Sequence, residues 1–228
     1  MSDWVLWGHH LDDYREMFDL SPEDLRAALL EFGCGPSAFN VEVRAQATSC
    51  VSCDPMFVLD EATLRTKSLL VFADRAEQVA AESTHFDFSR YGGLEGFLAQ
   101  RRAGMDAFFA DYTQGKKDGR YQAAEDFHLP YPDFSFDMAL CSHYLFGDLD
   151  NQDLDFHIQM IRELARVAKE VRVFPLVDYN DHMSTLIGPL LLALQQQNYG
   201  VEVRSTRYHL QQAKGNAMLR VWAQECHI

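Results

Sequence analysis

One segment constrains this chain more than any other: LLEFGCGPSAFN, residues 29–40, where an apolar run breaks at Gly33 and Gly35 before a helical pattern begins. An apolar run, two glycines two apart and then a helix is how a buried parallel strand hands over to the helix that covers it. Glycines there let the backbone turn tightly and approach a ligand closely. The helix start beyond them offers free N–H groups and a positive dipole end. The third glycine of the GxGxxG pattern is Ala38 here, which dinucleotide folds tolerate. Taken alone, the motif is equally a plain tight turn.

The rest of the chain continues the alternation, which predicts a βαβ sheet protein. A first strand is expected over Leu25–Phe32, a short helix over about Ser37–Gln46 and a second strand ending at Asp54. Strands follow at Met138–Cys141 and Val171–Leu176, the second short and nearly all apolar, as buried parallel strands are. Helices are expected at about Asn151–Lys169 and Ser184–Gln197. Leu154, Ile158, Ile161, Leu164 and Ala168 make one apolar face on the first of these. Two strand-like pieces, Val201–Thr206 and Ala217–Trp222, close the chain around a polar loop with Gly215-Asn216. Residues 57–120 do not fit the alternation. They are long, helix-rich and aromatic, so the expectation is one domain, 1–228, carrying a helical insertion or lid at 57–120. The stripe of Phe97, Phe108, Phe109 and Tyr112 reads as packing.

Two carboxylates sharpen the glycine turn. Glu31 lies two residues before Gly33, and Asp54 ends the second strand about twenty residues on, where a ribose-binding acid belongs. Adjacent strand ends would put Asp54 beside the turn, able to accept from two ribose hydroxyls. Nicotinamide and S-adenosylmethionine sites share that arrangement. A carboxylate at Glu31 suits a cationic amino-acid moiety and would repel a pyrophosphate. Against this, Asp54 before Pro55 also reads as a turn residue.

The ExGCG turn, Asp54 and LPYPDFSFDMALCSHYLF (129–146) together resemble a class I S-adenosylmethionine-dependent methyltransferase. The resemblance runs from about residue 25 to the end and is nearest to an uncharacterised bacterial branch with GPS-F-N after the turn and an FFADY segment, here Phe108 to Tyr112. It implies a Rossmann-like α/β fold with a mostly parallel seven-stranded sheet, an antiparallel last strand and a helical insertion. It implies S-adenosyl-L-methionine as cofactor, with Glu31, Gly33, Cys34 and Gly35 at its methionine end. Asp54 would take the ribose, Pro55 and Met56 the adenine side, and Glu125, or else Asp126, the adenine amino group. Cys141, Ser142 and His143 would face the transferable methyl. Asp137 opens the fourth strand and reads equally as a structural strand-edge acid. A Tyr-x-x-Met-Phe segment also precedes the first strand in that branch. It leaves Tyr14 and Arg15 open between closing over the cofactor, Arg15 on its carboxylate, and docking a helix, the role read for Met17 and Phe18. Ser21 as N-cap and Pro22 in the first turn mark a second start after that helix. The Ser37-Ala38 departure puts the cofactor's exact pose in question.

If the acceptor arrives protonated, a base is needed, and His143 is the best candidate by its chemistry, with Tyr144 and Asp178 weaker. A hydrogen-bonded wall residue is an equal reading of His143. Neither an NPPY-like signature nor a catalytic cysteine pair is present, so methylation of a nucleic-acid base is not indicated. The acceptor expected is a small molecule or a protein side chain. The alternatives are a non-catalytic S-adenosylmethionine-binding or regulatory protein of the same fold and an NAD-dependent oxidoreductase, which Glu31 and the terminal strand pair disfavour.

Charge bears on partners. The chain has 34 acidic and 20 basic side chains, a net charge of -14, which argues against gripping nucleic acid through phosphates. Residues 121–157 hold eight acids and no Lys or Arg. On the methyltransferase reading this stretch would line the adenine side and the acceptor opening. Cys50 and Cys53 form a lone CxxC, but positions three apart on a strand face opposite ways, so both read as core thiols and no metal is expected. Five cysteines, no apolar stretch long enough for a membrane and no signal-like start point to a cytoplasmic protein. The oligomeric state is not legible.

Overall fold

Which side of the sheet each residue faces follows from the pleat of its strands. The computed structural model describes residues 8–46, 48–124, 128–146, 153–176, 183–208, 210 and 217–223. Within them one sheet contains β1 (Leu29–Phe32), β2 (Cys50–Asp54), β3 (Tyr121–Ala123), β4 (Phe136–Ser142), β5 (Ala168–Phe174), β6 (Tyr199–Ser205) and β7 (Ala217–Ala223). Their spatial order is β3-β2-β1-β4-β5-β7-β6. β1 to β5 pair in parallel, and β7 runs antiparallel between β5 and β6. This is the mostly parallel seven-stranded Rossmann-like sheet, antiparallel in its last strand, expected from the sequence. The chain changes direction across the sheet between β1 and β4. Open α/β sheets bind ligands at such a switch point, outside the carboxyl ends of the strands.

The helices are α1 (Leu11–Met17), α2 (Phe39–Arg44), α3 (Glu61–Ala81), α4 (Leu94–Lys117), α5 (Leu154–Val167) and α6 (Ile187–Gln196). Alternate residues of each strand feed two cores. Leu30, Phe32, Ala139, Cys141, Val171 and Val173 pack with Ile161 and Leu164 of α5 and Leu190 of α6. Leu29, Met138 and Leu140 pack with Tyr14, Met17 and Phe18 from α1 and its end, and Phe39 and Val43 from α2. Glu31 therefore points to the α1–α2 side. The same alternation sends Cys50 to one core and Cys53 to the other.

Several boundaries differ from the sequence reading. Asp24–Arg26 is a 3-10 turn, and β1 begins only at Leu29. Reciprocal bonds hold that turn, Ser21 N–H to Asp24 Oδ2 at 2.8 Å and Asp24 N–H to Ser21 Oγ at 3.1 Å. The helix after the glycines is shorter than Ser37–Gln46. β5 starts at Ala168, directly at the end of α5 and ahead of the expected Val171, because Ala168 packs into the core and the polar Lys169 and Glu170 are satisfied in place. Lys169 meets Asp137 at 2.7 Å, and Glu170 receives Arg172 and Arg220. β3, the seventh strand of the expected sheet, is not located by the sequence reading. This three-residue strand has little apolar signal and is fixed by pairing, Ser52 N–H donating to the Arg120 carbonyl at 2.8 Å.

Residues 57–120 form the long helices α3 and α4 between β2 and β3. Asp60 caps α3 through Thr63 N–H at 2.9 Å. The aromatic stripe is packing: Phe57, Phe108, Tyr112 and Tyr121 interlock with ring centres 5.0–5.7 Å apart. Among the described residues no helix is long and apolar enough to cross a membrane. The 211–216 loop with Gly215-Asn216 lies outside the described residues.

Candidate functional site

The glycine turn leaves the end of β1 with Gly33 at φ 64° and Gly35 at φ 55°, both in the left-handed region that favours glycine. Gly33 has a second reason to be glycine, because an added Cβ would run into the Tyr144 side chain. Gly33 N–H is taken by the Cys53 carbonyl at 2.9 Å, which ties the turn to β2. The amides at the start of α2 are partly used by the chain itself. Ala38 N–H donates to the His9 carbonyl at 2.9 Å, and Phe39 N–H to Ser37 Oγ at 3.0 Å.

Asp54 holds the turn from below. Its Oδ2 accepts Gly35 N–H at 2.7 Å and its Oδ1 accepts Met56 N–H at 2.7 Å. Each oxygen keeps a further lone pair for a ligand donor. Pro55 begins the 3-10 turn Pro55–Val58, and Met56 is buried in the aromatic cluster under α4. Burial pushes the Asp54 carboxyl up to about 6, helped by the charge of Glu31 and opposed by the two amide bonds.

Glu31 stands beside Ser52 in the β1–β2 register and accepts its hydroxyl at 2.5 Å through Oε2. Its other oxygen, Oε1, is buried and makes no hydrogen bond of good geometry, although Tyr14, Ser37 and Cys34 lie close to the carboxylate. Burial raises the Glu31 carboxyl, against the pull of Ser52, Tyr14, Ser37 and Cys34 around it. Burial likewise pushes the Cys34 thiol far up, so it offers no thiolate.

At the end of β4 the pleat separates neighbours. Cys141 packs on the α5 side, its thiol pushed up to about 12 by burial. Ser142 faces α1, where Tyr14 OH lies 3.2 Å from its Oγ. Tyr14 is fully buried and stacks on Phe39 at 4.1 Å between ring centres. His143 has φ 60° and stacks on His9 at 4.7 Å, with its Nδ1 buried and unpartnered. Burial first, and then the charge of Arg101, depress His143 to about 3 and hold His9 well below the ordinary imidazole range. Burial pushes the Tyr144 phenol up to about 12. Neither His143 nor Tyr144 therefore titrates near neutrality.

The structure brings together Glu31, Gly33, Cys34, Gly35, Asp54, Tyr14, Ser142, His143 and Tyr144. Arg15 is not among them, since it lies half-buried and pairs with the exposed Asp12 at 2.9 Å. Glu125, Asp126 and Asp178 lie outside the described residues. No group of three metal-ligating side chains occurs among the described residues. Sequence reasoning missed Ser52, Ser37 and His9. Ser52 was within reach, since it is two before Asp54 and so faces the side of the sheet that Glu31 faces. His9 carried no local signal beyond its neighbour His10.

No protein-family model matches the chain. An uncharacterised protein of Methanocaldococcus jannaschii is 24% identical over 221 residues, 96% of each chain. That relative is archaeal, whereas the sequence resemblance pointed to a bacterial branch. Among solved structures, a TehB-like SAM-dependent methyltransferase from Corynebacterium glutamicum aligns with TM-score 0.49 at 13% identity, covering 97% of this chain and 89% of the other. TrmN from Thermus thermophilus aligns with TM-score 0.47 at 12% identity over 94% of this chain, which spans 48% of that one. Magnesium protoporphyrin IX methyltransferase from Synechocystis, with bound SAM, aligns with TM-score 0.44 at 10% identity, covering 93% and 90%. Likenesses at this level carry no activity across to this chain.

Proposed function

We propose that the chain is an S-adenosylmethionine-dependent methyltransferase whose acceptor is a small molecule or a protein side chain. The observation that carries this is Glu31 Oε1, a buried carboxylate oxygen without a partner at the sheet's switch point, near the buried Asp54. Buried polar atoms in folded proteins are almost always satisfied, so an orphan of this kind points to a ligand donor. Two carboxyls there favour a ligand with an ammonium group and vicinal hydroxyls. They disfavour a pyrophosphate, which sets this reading above an NAD-dependent oxidoreductase.

When bound, the cofactor would supply a methyl group on a sulfonium, for in-line transfer to a nucleophile with the S–CH3 bond breaking and the thioether S-adenosylhomocysteine leaving. The chain's share of such a reaction is alignment and the exclusion of water. Asp54 would hold the ribose while anchoring Gly35, and Glu31 would take the ammonium. Tyr144 closes on Gly33, and Tyr14 with Phe39 seals the α1 side. His143, neutral and weakly basic, suits a wall better than a general base, so the acceptor would arrive with its lone pair free.

The same weak basicity favours a second reading, a non-catalytic protein that binds S-adenosylmethionine through this cleft. Calorimetric titration with S-adenosylhomocysteine and, separately, NAD tests the first claim. Binding of the former alone supports it, and binding of neither refutes it. S-Adenosylhomocysteine binding with no transfer across an acceptor screen would favour the second reading.

A further inference from the structure

We propose that Arg101 is a positioning residue for the cofactor cleft: from α4 it pins the N-terminal strap, residues 8–18, over the glycine turn through a buried ion pair with Asp13. The proposal rests on the methyltransferase reading for what the cleft holds, and on the strap's own contacts for the rest.

Arg101 is 0% exposed, although Arg is among the residues least often fully buried. Its Nη1 and Nη2 both donate to the Asp13 carboxylate, the second to Oδ1 at 3.0 Å. Nη2 also donates to Tyr91 OH and Tyr208 OH, each at 3.0 Å, and the guanidinium lies 5.0 Å from the centre of the Phe97 ring. Asp13 is shared. Its Oδ2 also caps α1 by accepting His10 N–H at 2.8 Å. One carboxylate thus sets both the start of α1 and its distance from α4.

The backbones confirm how close the strap lies. An added Cβ on Gly8 would run into the Arg101 carbonyl, and one on Gly104 into the Gly8 carbonyl. His10 Nε2 lies 2.9 Å from the Gln100 carbonyl, and Glu16 pairs with Arg90. On its opposite side the strap meets the cleft. The His9 carbonyl accepts Ala38 N–H at 2.9 Å and Ser37 Oγ–H at 3.3 Å, the His9 ring stacks on His143, and Tyr14 reaches Ser142. The strap therefore lies between α4 and the glycine turn, and α4 acts as its outer buttress.

A seven-residue helix has no stability of its own, since isolated helices under about 12 residues are marginal in water. Its order must come from packing and from the two-pronged guanidinium–carboxylate geometry, which fixes orientation as well as distance. A strap that is closed only part of the time lowers apparent affinity by the fraction closed. The guanidinium's hydrogen bonds go to Asp13, Tyr91 and Tyr208 and to no residue of the glycine turn, so its hold on the strap runs through Asp13.

Two readouts test this on the full chain: S-adenosylhomocysteine affinity by calorimetry, and amide hydrogen exchange of residues 8–18 compared with β1 and β4. Arg101→Met is expected to weaken binding about tenfold or more and to speed exchange in the strap while the strands stay protected. Arg101→Lys, which keeps the charge and loses the fork, should fall between it and wild type. Tyr208→Phe leaves the ion pair intact and should fold, giving a smaller loss in the same direction. A folded Arg101→Met chain that binds within about twofold of wild type would overturn the proposal. So would exchange that rises equally in strap and strands, the mark of a merely structural role. A wild-type chain that binds no S-adenosylhomocysteine refutes the methyltransferase reading and the cofactor half of this proposal, while exchange still decides the strap half.

Discussion

If Asp54 receives the ribose hydroxyls, cofactor binding must release protons in a predictable pH window. Burial holds its carboxyl at about 6 in the ligand-free protein, against an ordinary value of 3.8. A raised carboxyl contributes stability that is fully present below the unfolded value and is lost as pH rises through 6. The two-unit shift corresponds to about 3 kcal/mol against the ligand-free fold at neutral pH, at 1.36 kcal/mol per unit. Hydroxyl donors favour the ionised form and should return the bound carboxyl to about 4. Affinity for S-adenosylhomocysteine should then be about tenfold weaker at pH 5 than at pH 7.5. At pH 6 about half a proton should leave per ligand bound. Calorimetry in two buffers of different ionisation enthalpy reads that proton directly. Glu31 is raised too, so the two titrate as a pair, and Asp54→Asn should remove the steeper part of the profile. Affinity that stays flat from pH 5 to 7.5 with no proton exchange would refute the assignment of Asp54 as a ligand carboxylate.

Four further outcomes are expected. Glu31→Gln should weaken S-adenosylhomocysteine by about 1.5–3 kcal/mol, the worth of a hydrogen bond to a charged group, and leave adenosine affinity unchanged in the same titration. Gly33→Ala should cost about 1–3 kcal/mol in urea unfolding, from left-handed strain and the Tyr144 contact. Arg101→Met leaves the Asp13 carboxylate unpaired, a cost of about 3–5 kcal/mol that opening the strap relieves, so it should appear as lost exchange protection in residues 8–18 and not in the strands, and the double variant Asp13→Leu/Arg101→Met should recover most of that protection. His10 is raised chiefly by its bond to Glu42 at 2.6 Å, so it stabilises the fold below its unfolded value of 6.5 and the gain fades as pH rises through the higher folded value. Thermal melts from pH 6 to 9 should lose part of their slope in His10→Gln.

What could be read in the sequence was local and periodic. The β1 turn, the end of β2 at Asp54 and the face of α5 each announce themselves within a dozen residues, and pairing then dictates the sheet. What could not be read depends on partners distant in sequence. β3 exists because Tyr121 finds Phe57 and Phe108, and the early start of β5 depends on Asp137 and Arg220, far along the chain. In the cleft, Glu31, Gly33 and Asp54 follow from a strand–turn–helix pattern. The link from Asp13 to Arg101 spans 88 residues and involves two residue types that look like surface charge in any helical pattern. Cys141 beside Ser142 shows the opposite failing. The motif groups them, and the pleat sends them to opposite sides.

The acidity of residues 121–157 looked like a property of the pocket, and the described part of it is not. Asp133 pairs with Arg166 at 2.9 Å, Asp137 with Lys169 and the Ala28 amide, and Asp153 caps α5. These acids serve turns, strand edges and a helix start, as their spacing allows. Charge at the cleft instead comes from two residues in neutral surroundings of sequence, Glu31 and Asp54. The guanidinium buried next to it, Arg101, is already committed to Asp13. A phosphate would find its negative charge opposed by both carboxyls and unassisted by Arg101, whereas an ammonium would meet the free oxygen of Glu31. Selection between ligands thus rests on two buried groups rather than on the net charge of the chain, and each can be removed singly.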